Sequence, residues 1–415
     1  MKINGTSSVL SLFFSVILLS ACSSELPELS DEDFLQEHIE WLASDDLEGR
    51  LAGTAHEAEA ANYISDRFLQ YGVLPAGDDR RYIQQFTLIG PMADVMGVNN
   101  HQSRNVVGKV EGTENPDRYI IIGAHYDGQG TGGMISMSDS DDELIHNSAD
   151  DNASGTAGLL MLANHFSENP PANSVKFVAF SGEEVGLLGS RYFTDTMEMD
   201  VDSVLAMINL DMIGRLDEGE LTIFGTGTAT IWDEMLEQIQ ADSLSITKTP
   251  SGSGSSDHTP FYEKGIPVLH YYSGTHEDYH RETDTADKID YRGMTWVLEH
   301  VKEVISELDR LHPEEIEFQE TTDPRSVVMS GDSVTLGVIP DYTFDGGGFR
   351  IESVRPGNPG EKSGLQDGDI IIEMDGQAVG DIYDYMEMLN DFEAGDEIGI
   401  TILRGDEELE LTVQF

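Results

Sequence analysis

The chain has 415 residues, 39% of them hydrophobic and 8% aromatic, which supplies a large core and exceeds one ordinary compact domain, so one large and one small domain are expected. Lys and Arg total 23 against 78 Asp and Glu, a formal net charge of -55 that repels phosphate backbones and anionic lipid, so no nucleic-acid partner is expected. The acidity is spread along the chain, as on a solvated surface suited to a saline habitat, and it says little about catalysis.

The first 24 residues, "MKINGTSSVLSLFFSVILLSACSS", carry one cation at Lys2, an apolar run from Val9 to Leu19 that is short for a bilayer span, and then small residues. That is the pattern of an export signal. The only cysteine is Cys22, which excludes an internal disulfide. The segment "LSAC" resembles the lipobox of bacterial lipoproteins. The resemblance implies cleavage before Cys22, a lipid on its sulfur, and a place in the cell envelope, at the outer membrane or periplasmic face of a Gram-negative host. Membrane contact is then expected only through the lipid; a plain secretory peptide with Cys22 incidental is the alternative.

Residues 31–43 and 55–71 carry apolar residues at helical spacing, with Phe34, Ile39 and Leu42 on one face and Tyr63, Ile64, Phe68 and Leu69 on the other helix's face. Apolar runs bounded by turn residues then alternate with helical patterns: "RNVVGKV", "YIIIGAH", a helix over 153–166, "VKFVAF", "VLAMINLDM", "LTIFG", "IPVLHYY" and a long helix over 292–311. Such alternation predicts an α/β domain, with a phosphorylase/hydrolase-like, largely parallel mixed sheet and helices on both faces. Ligands of such sheets gather outside the carboxyl ends of the strands, so the polar residues after each run matter most.

Five segments place metal-type ligands there: "GAHYDG" (His125, Asp127), "ADDNASG" (Asp150, Asp151), "FSGEEVGLLGS" (Glu183, Glu184), "INLDMIGR" (Asp211) and "EDYHRETDT" (Tyr279, His280, Asp284). Singly each has a bland reading, because acidic pairs are common in so acidic a chain. Together, two His and several carboxylates at one sheet edge make a nitrogen and oxygen site suited to zinc. In this order the segments resemble the co-catalytic di-zinc aminopeptidases, a family that includes relatives of glutamate carboxypeptidase and glutaminyl cyclases.

The resemblance implies two zinc ions, with His125 and Asp211 on the first, Glu184 and His280 on the second, and Asp151 bridging them. It implies that Asp127 holds His125 through its other ring nitrogen, that Glu183 is the general base and that Tyr279 faces the oxyanion. A cis peptide is implied before Asn152, and Ser154 and Gly155 are small enough to let the next helix start close beneath the metals. Asp150 is left solvated or supporting. Ser256, Asp257 and His258 either line the pocket or cap a helix. The insert over 128–147, "GQGTGGMISMSDSDDELIHN", reads as a mobile rim loop, and the short segment from Ile89 to Arg104 suggests an exposed site.

Residues 313–330 lose the periodic pattern and read as a linker between a peptidase domain over 23–312 and a small, mostly β domain over 331–415. The small domain resembles a PDZ domain: Gly346, Gly347, Gly348 and Phe349 match the carboxylate-binding loop, which implies a C-terminal peptide ligand. The expected activity is hydrolysis of N-terminal peptide bonds on substrates with a free amine, because a carboxypeptidase needs an arginine for the substrate carboxylate and only Arg215 and Arg281 lie near the five segments. A glutaminyl-cyclase-like aminoacyl cyclase, and a PDZ-dependent binding protein with a degenerate peptidase, are the alternatives.

Overall fold

The uninterrupted apolar runs become the middle of a nine-stranded sheet. The computed structural model describes residue 1, residues 29–138 and 143–321 apart from 198, 217 and 240, and residues 334–415 apart from 341–343, 345–346, 355–356, 381, 390–391, 393–394 and 406. The export signal with Cys22, the second half of the linker (322–330) and Gly346 lie outside the described residues. Among the described residues no helix is long and apolar enough to cross a membrane.

The strands are β1 (Leu74–Pro75), β2 (Ile83–Thr87), β3 (Gln102–Val110), β4 (Asn115–His125), β5 (Asn173–Phe180), β6 (Val204–Leu210), β7 (Glu220–Phe224), β8 (Ser245–Thr249) and β9 (Val268–Tyr272). They lie in the order β1-β3-β5-β4-β6-β9-β7-β8, with β2 on β3. The central four, β5, β4, β6 and β9, are mutually parallel, while β3 and β7 join their flanks antiparallel. All seven residues of β6 are buried, as a parallel strand covered on both faces requires.

Helices Asp31–Leu42, Ala55–Tyr71, Gly155–Glu168 and Tyr291–Leu308 share the larger core on one face of the sheet. The last is amphipathic: Met294, Val297, Leu298, Val301, Val304, Ile305 and Leu308 are buried at three- and four-residue spacing, and Asp290 caps it by accepting the Gly293 N–H at 2.9 Å. Each such side chain contributes about 1.5–3 kcal/mol by leaving water. On the opposite face Phe180, Phe193 and Phe261 pack with ring centroids 5.8 to 6.0 Å apart.

Several expectations change. Leu69 is 67% exposed; it falls one residue beyond the stripe that Ile64 and Phe68 bury. The helix expected from 153 begins at Gly155, because Ala149–Ser154 form a separate, widened turn. The described parts of the expected rim loop, 128–138 and 143–147, are packed: Gln129, Ile135, Met137 and His146 are buried, the Met137 N–H donates to the His280 carbonyl at 2.8 Å, and Ser136 Oγ lies 2.8 Å from His146 Nε2. Glycines at positive φ, such as Gly132 at 89°, let it fold back on itself. The first part of the expected linker is docked too, since Gln319 N–H donates to the Thr228 carbonyl at 2.8 Å and Thr321 N–H to the Tyr262 hydroxyl at 2.9 Å.

The C-terminal strands, β10 (Val338–Pro340), β11 (Phe349–Val354), β12 (Ile370–Met374), β13 (Gln377–Ala378), β14 (Glu397–Arg404) and β15 (Glu407–Gln414), form an antiparallel sheet with its own core. Phe349 is buried in that core and stacks on Tyr385 at 4.0 Å, and Arg404 pairs with buried Asp369 at 2.7 Å.

Candidate metal centre

Four adjacent parallel strands end on one edge, so residues distant in sequence arrive together. His125 is the last residue of β4, Glu183 and Glu184 follow β5, Asp211 follows β6 directly, and His280 lies in the loop after β9. Asp151 comes from the widened turn ahead of the helix Gly155–Glu168, and its peptide bond to Asn152 is cis. That helix starts tight against β6: a Cβ on Gly155 would stand 2.3 Å from the Leu210 carbonyl oxygen, so only glycine fits.

The two oxygens of Asp151 face different histidines, Oδ1 at 3.2 Å from His125 Nε2 and Oδ2 at 3.3 Å from His280 Nε2. Asp211 Oδ1 lies 3.2 Å from His125 Nε2, and Glu184 Oε2 lies 3.7 Å from His280 Nε2. The donors thus fall into two triads that share one residue, His125 with Asp151 and Asp211, and His280 with Asp151 and Glu184. Donors around one tetrahedral zinc at ~2.05 Å sit roughly 3.3 Å apart, close to these spacings. Imidazole and carboxylate are the ligand types zinc accepts, so the residues fit two ions of that kind.

Asp127 departs from its expected contact. Its Oδ1 is 3.7 Å from His125 Nδ1, too far for a hydrogen bond; the Asp127 backbone carbonyl is nearer, at 3.3 Å, and Oδ1 accepts the Glu183 N–H at 3.3 Å. Asp150 is fully buried rather than solvated: Oδ1 accepts the Gly214 N–H at 2.7 Å and Oδ2 lies 3.1 Å from His276 Nε2. Ser256 caps no helix through its side chain. It donates to Asp211 Oδ2 at 2.6 Å and accepts from Asn209 Nδ2 at 2.8 Å, fixing the carboxylate that faces His125.

Two further residues support the site through backbone groups: Asp284, from the fifth of the segments above, and Arg50, which no motif marks. Asp284 accepts the N–H groups of Asp150 and Asp151 at 2.9 and 3.1 Å and so pins the bridging residue's backbone. Burial, with Asp150 beside it, pushes its carboxyl up to about 7. Arg50 is fully buried and donates to the carbonyls of Leu42, Tyr126, Asn147 and Ser148 at 2.5 to 2.9 Å, tying three loops beneath the site. Burial lowers its pKa to about 10, against the pull of Asp127 and Asp284, so it stays charged at neutral pH.

The acids crowd one another. Burial pushes Glu183 well above the usual carboxylate range; His125 opposes this, while Glu184, Asp211 and Asp257 add to it. Burial and the Asp151 charge do the same to Glu184. Burial works against charge on His125, yet Asp211 and Glu183 outweigh it and raise its pKa well above normal. Concentrated negative charge around two imidazoles is what divalent cations relieve.

Glu183 and Tyr279 both line a cavity of about 630 Å³, and the Tyr279 ring stacks on His280 at 3.9 Å. Phe344, Gly348, Phe349 and Arg350 of the C-terminal domain also line it. Gly347 is exposed, and the Gly348 N–H is already committed to the Gly380 carbonyl at 2.9 Å.

Residues 105–306 match the family described as Peptidase family M28, and residues 316–415 match the PDZ domain family. Aminopeptidase YwaD of Bacillus subtilis is 31% identical over 206 residues, which are 46% of this chain and 41% of that protein. The chain spans half or less of the length of the curated relatives it matches. Among solved structures, BSAP, a zinc aminopeptidase from Bacillus subtilis, is similar with a TM-score of 0.52 at 20% identity, over 70% of this chain and 99% of that one. Glutaminyl cyclase of Porphyromonas gingivalis gives a TM-score of 0.53 at 18% identity, over 66% and 98%. At these identities the two likenesses are of fold.

Proposed function

We propose that this chain, which carries a Peptidase family M28 domain followed by a PDZ domain, is a two-zinc aminopeptidase that hydrolyses N-terminal peptide bonds. The observation that carries the reading is the pair of Asp151 oxygens, each aimed at a different histidine, with Asp211 and Glu184 completing the two triads. Exopeptidases named in the comparisons share the fold. By the signal at its start, we place the chain in the cell envelope, lipid-anchored at Cys22, with the peptidase over 23–312 and the PDZ domain over 331–415.

Zinc, when bound, polarises the scissile carbonyl and makes water a nucleophile near neutral pH. The protein does the rest. Glu183 accepts the proton of the attacking water and passes it to the departing amine. Tyr279, on the cavity wall beside His280, faces the developing oxyanion. Ser256 holds Asp211 in place, and Asp284 holds Asp151. A protonated substrate amine is drawn to the acids that line this end, and the field of a chain with net charge -55 raises its local concentration.

The test is a pair of anilides. A leucyl p-nitroanilide is expected to be cleaved, with activity lost to a chelator and restored by zinc, and its N-acetyl counterpart to turn over roughly 10²-fold more slowly or less. Efficient cleavage of the acetylated compound, or release of residues from the carboxyl end of a peptide, overturns the aminopeptidase reading. Cyclisation of N-terminal glutamine without anilide hydrolysis would make it a cyclase, and no turnover at all would leave a binding protein.

A further inference from the structure

β7 and β8 run parallel, and their last residues, Phe224 and Thr249, line the cavity together with Ser251, Ser253 and Gly254 of the run "SGSGSS" over 251–256. Glycine and serine bury little apolar surface, and glycine loses more backbone freedom on ordering than any other residue. A wall of this composition keeps its shape only if it is held from outside. One end is held locally, where Thr259 Oγ1 accepts the Gly254 N–H at 2.8 Å and donates to the Gly254 carbonyl at 2.6 Å. The other end is held by residues that follow the helix Tyr291–Leu308. Thr321 Oγ1 accepts the Gly252 N–H at 3.2 Å and lies 3.0 Å from the Tyr262 hydroxyl, which in turn accepts the Thr321 N–H at 2.9 Å.

We infer that residues 316–321 are a strap that positions this wall for the substrate, with Thr321 as its positioning residue. The inference rests on the aminopeptidase reading for what the wall meets. Ile316 anchors the strap in the larger core. Phe318 pairs with Ala229 in an antiparallel bridge, the Glu317 carbonyl accepts the Thr230 N–H at 3.2 Å, and the Gln319 N–H donates to the Thr228 carbonyl at 2.8 Å. Residues 225–227, just before, pair with the start of the wall: the Gly225 N–H donates to the Ser251 carbonyl at 2.7 Å and the Gly227 N–H to the Pro250 carbonyl at 3.0 Å. Side chains make a second path. The Phe318 ring packs on Tyr262 with centroids 5.7 Å apart, and a Cβ on Gly252 would stand 2.3 Å from Tyr262 Cδ2 and 2.6 Å from Thr228 Cγ2, so the wall's backbone lies directly on the ring that Phe318 and Thr321 hold. The strap falls within the stretch that matches the PDZ domain family, yet the bonds described here are all made with the peptidase domain.

The experiment uses the zinc-loaded full chain carrying Phe318→Ala with Thr321→Val, which removes the ring and the acceptor oxygen and leaves the catalytic residues untouched. Amide hydrogen exchange over 249–255 reads the wall, and leucyl p-nitroanilide kinetics read its effect. Exchange there is expected to quicken about tenfold or more. A wall that keeps its shape only about a tenth of the time lowers apparent affinity roughly tenfold, so KM is expected to rise by about that factor, with kcat within about twofold of wild type and zinc content unchanged. Thr321→Ser keeps the oxygen and should restore both readouts when it replaces Thr321→Val. If the double variant does not fold, Thr321→Val alone carries the test, with KM raised about threefold, the scale of one hydrogen bond. Faster exchange with an unchanged KM overturns the positioning role, and unchanged exchange overturns the strap's hold on the wall. Loss of zinc and kcat together would make the segment a general stabiliser and likewise overturn the inference. Wild type that leaves the anilide intact overturns the aminopeptidase reading instead, while the exchange measurement still decides whether the strap holds the wall.

Discussion

Asp151→Ala is expected to lower zinc content from two ions per chain to below one and to reduce turnover of an aminoacyl anilide by at least about 10³-fold, since both Lewis-acid and water-activating chemistry go with the ions. The reason is geometric. Asp151 is the one residue common to both donor triads, with Oδ1 3.2 Å from His125 Nε2 and Oδ2 3.3 Å from His280 Nε2, so its loss removes a donor from each. Asp211→Ala and His280→Ala each break one triad only and should cost less metal. Metal analysis of the purified variants checks this ranking, with circular dichroism as the control that each one folds. An Asp151→Ala protein that still holds two ions would contradict the bridging role.

Glu183→Gln is expected to do the opposite: full metal content with turnover lower by about 10²- to 10⁴-fold, the range typical of a lost general base. Glu183 and Glu184 are neighbours in sequence and diverge in space. Glu184 belongs to the triad with Asp151 and His280, whereas Glu183 belongs to neither triad and lines the cavity. Its amide analogue keeps the shape and one acceptor oxygen and loses the capacity to take a proton. Glu184→Gln should instead lose zinc. Near-normal turnover in Glu183→Gln would remove it from the proton-transfer step.

Much of the architecture is legible in sequence because the strands are buried on both faces and so appear as unbroken apolar runs, "YIIIGAH" and "VLAMINL" above all, whose polar followers mark the sheet edge. That marks His125, Glu183, Glu184 and Asp211 as residues at the sheet edge; the choice of Asp151 over Asp150 and of Glu184 over Glu183 as ligands comes with the resemblance to the di-zinc aminopeptidases. Residues that act through backbone groups leave no such mark. Arg50 binds four carbonyls and no motif marks it; Asp284 stands in the fifth segment as a metal-type acid, but its role, holding two N–H groups more than 130 residues away, has no side-chain signature. Ser256 stood out in "SSDHTPF" but with two roles open, because the same hydroxyl that caps helices also holds a carboxylate.

Tertiary packing decides the remainder. The described first part of the glycine-rich insert, 128–138, has a loop's composition, yet it is pinned by Ser136 with His146 and by the His280 carbonyl, a residue about 140 positions on. Arg350 lies beyond the linker, in a separate domain, so no local pattern connects it to Glu183, which lines the same cavity. In the sequence only Arg215 and Arg281 lie near the five segments, and the structure pairs Arg215 with Asp278 at 3.0 Å.

The central claim is a paired-ion hydrolytic site, and the most direct measurement is a zinc titration of metal-stripped full chain, with bound zinc and leucyl p-nitroanilide turnover recorded in the same samples. Turnover is expected to reach its plateau only as the second equivalent binds, because His125 with Asp211 and His280 with Glu184 form separate triads joined through Asp151. A plateau reached at one equivalent, with the second ion bound weakly and without effect on rate, would contradict it.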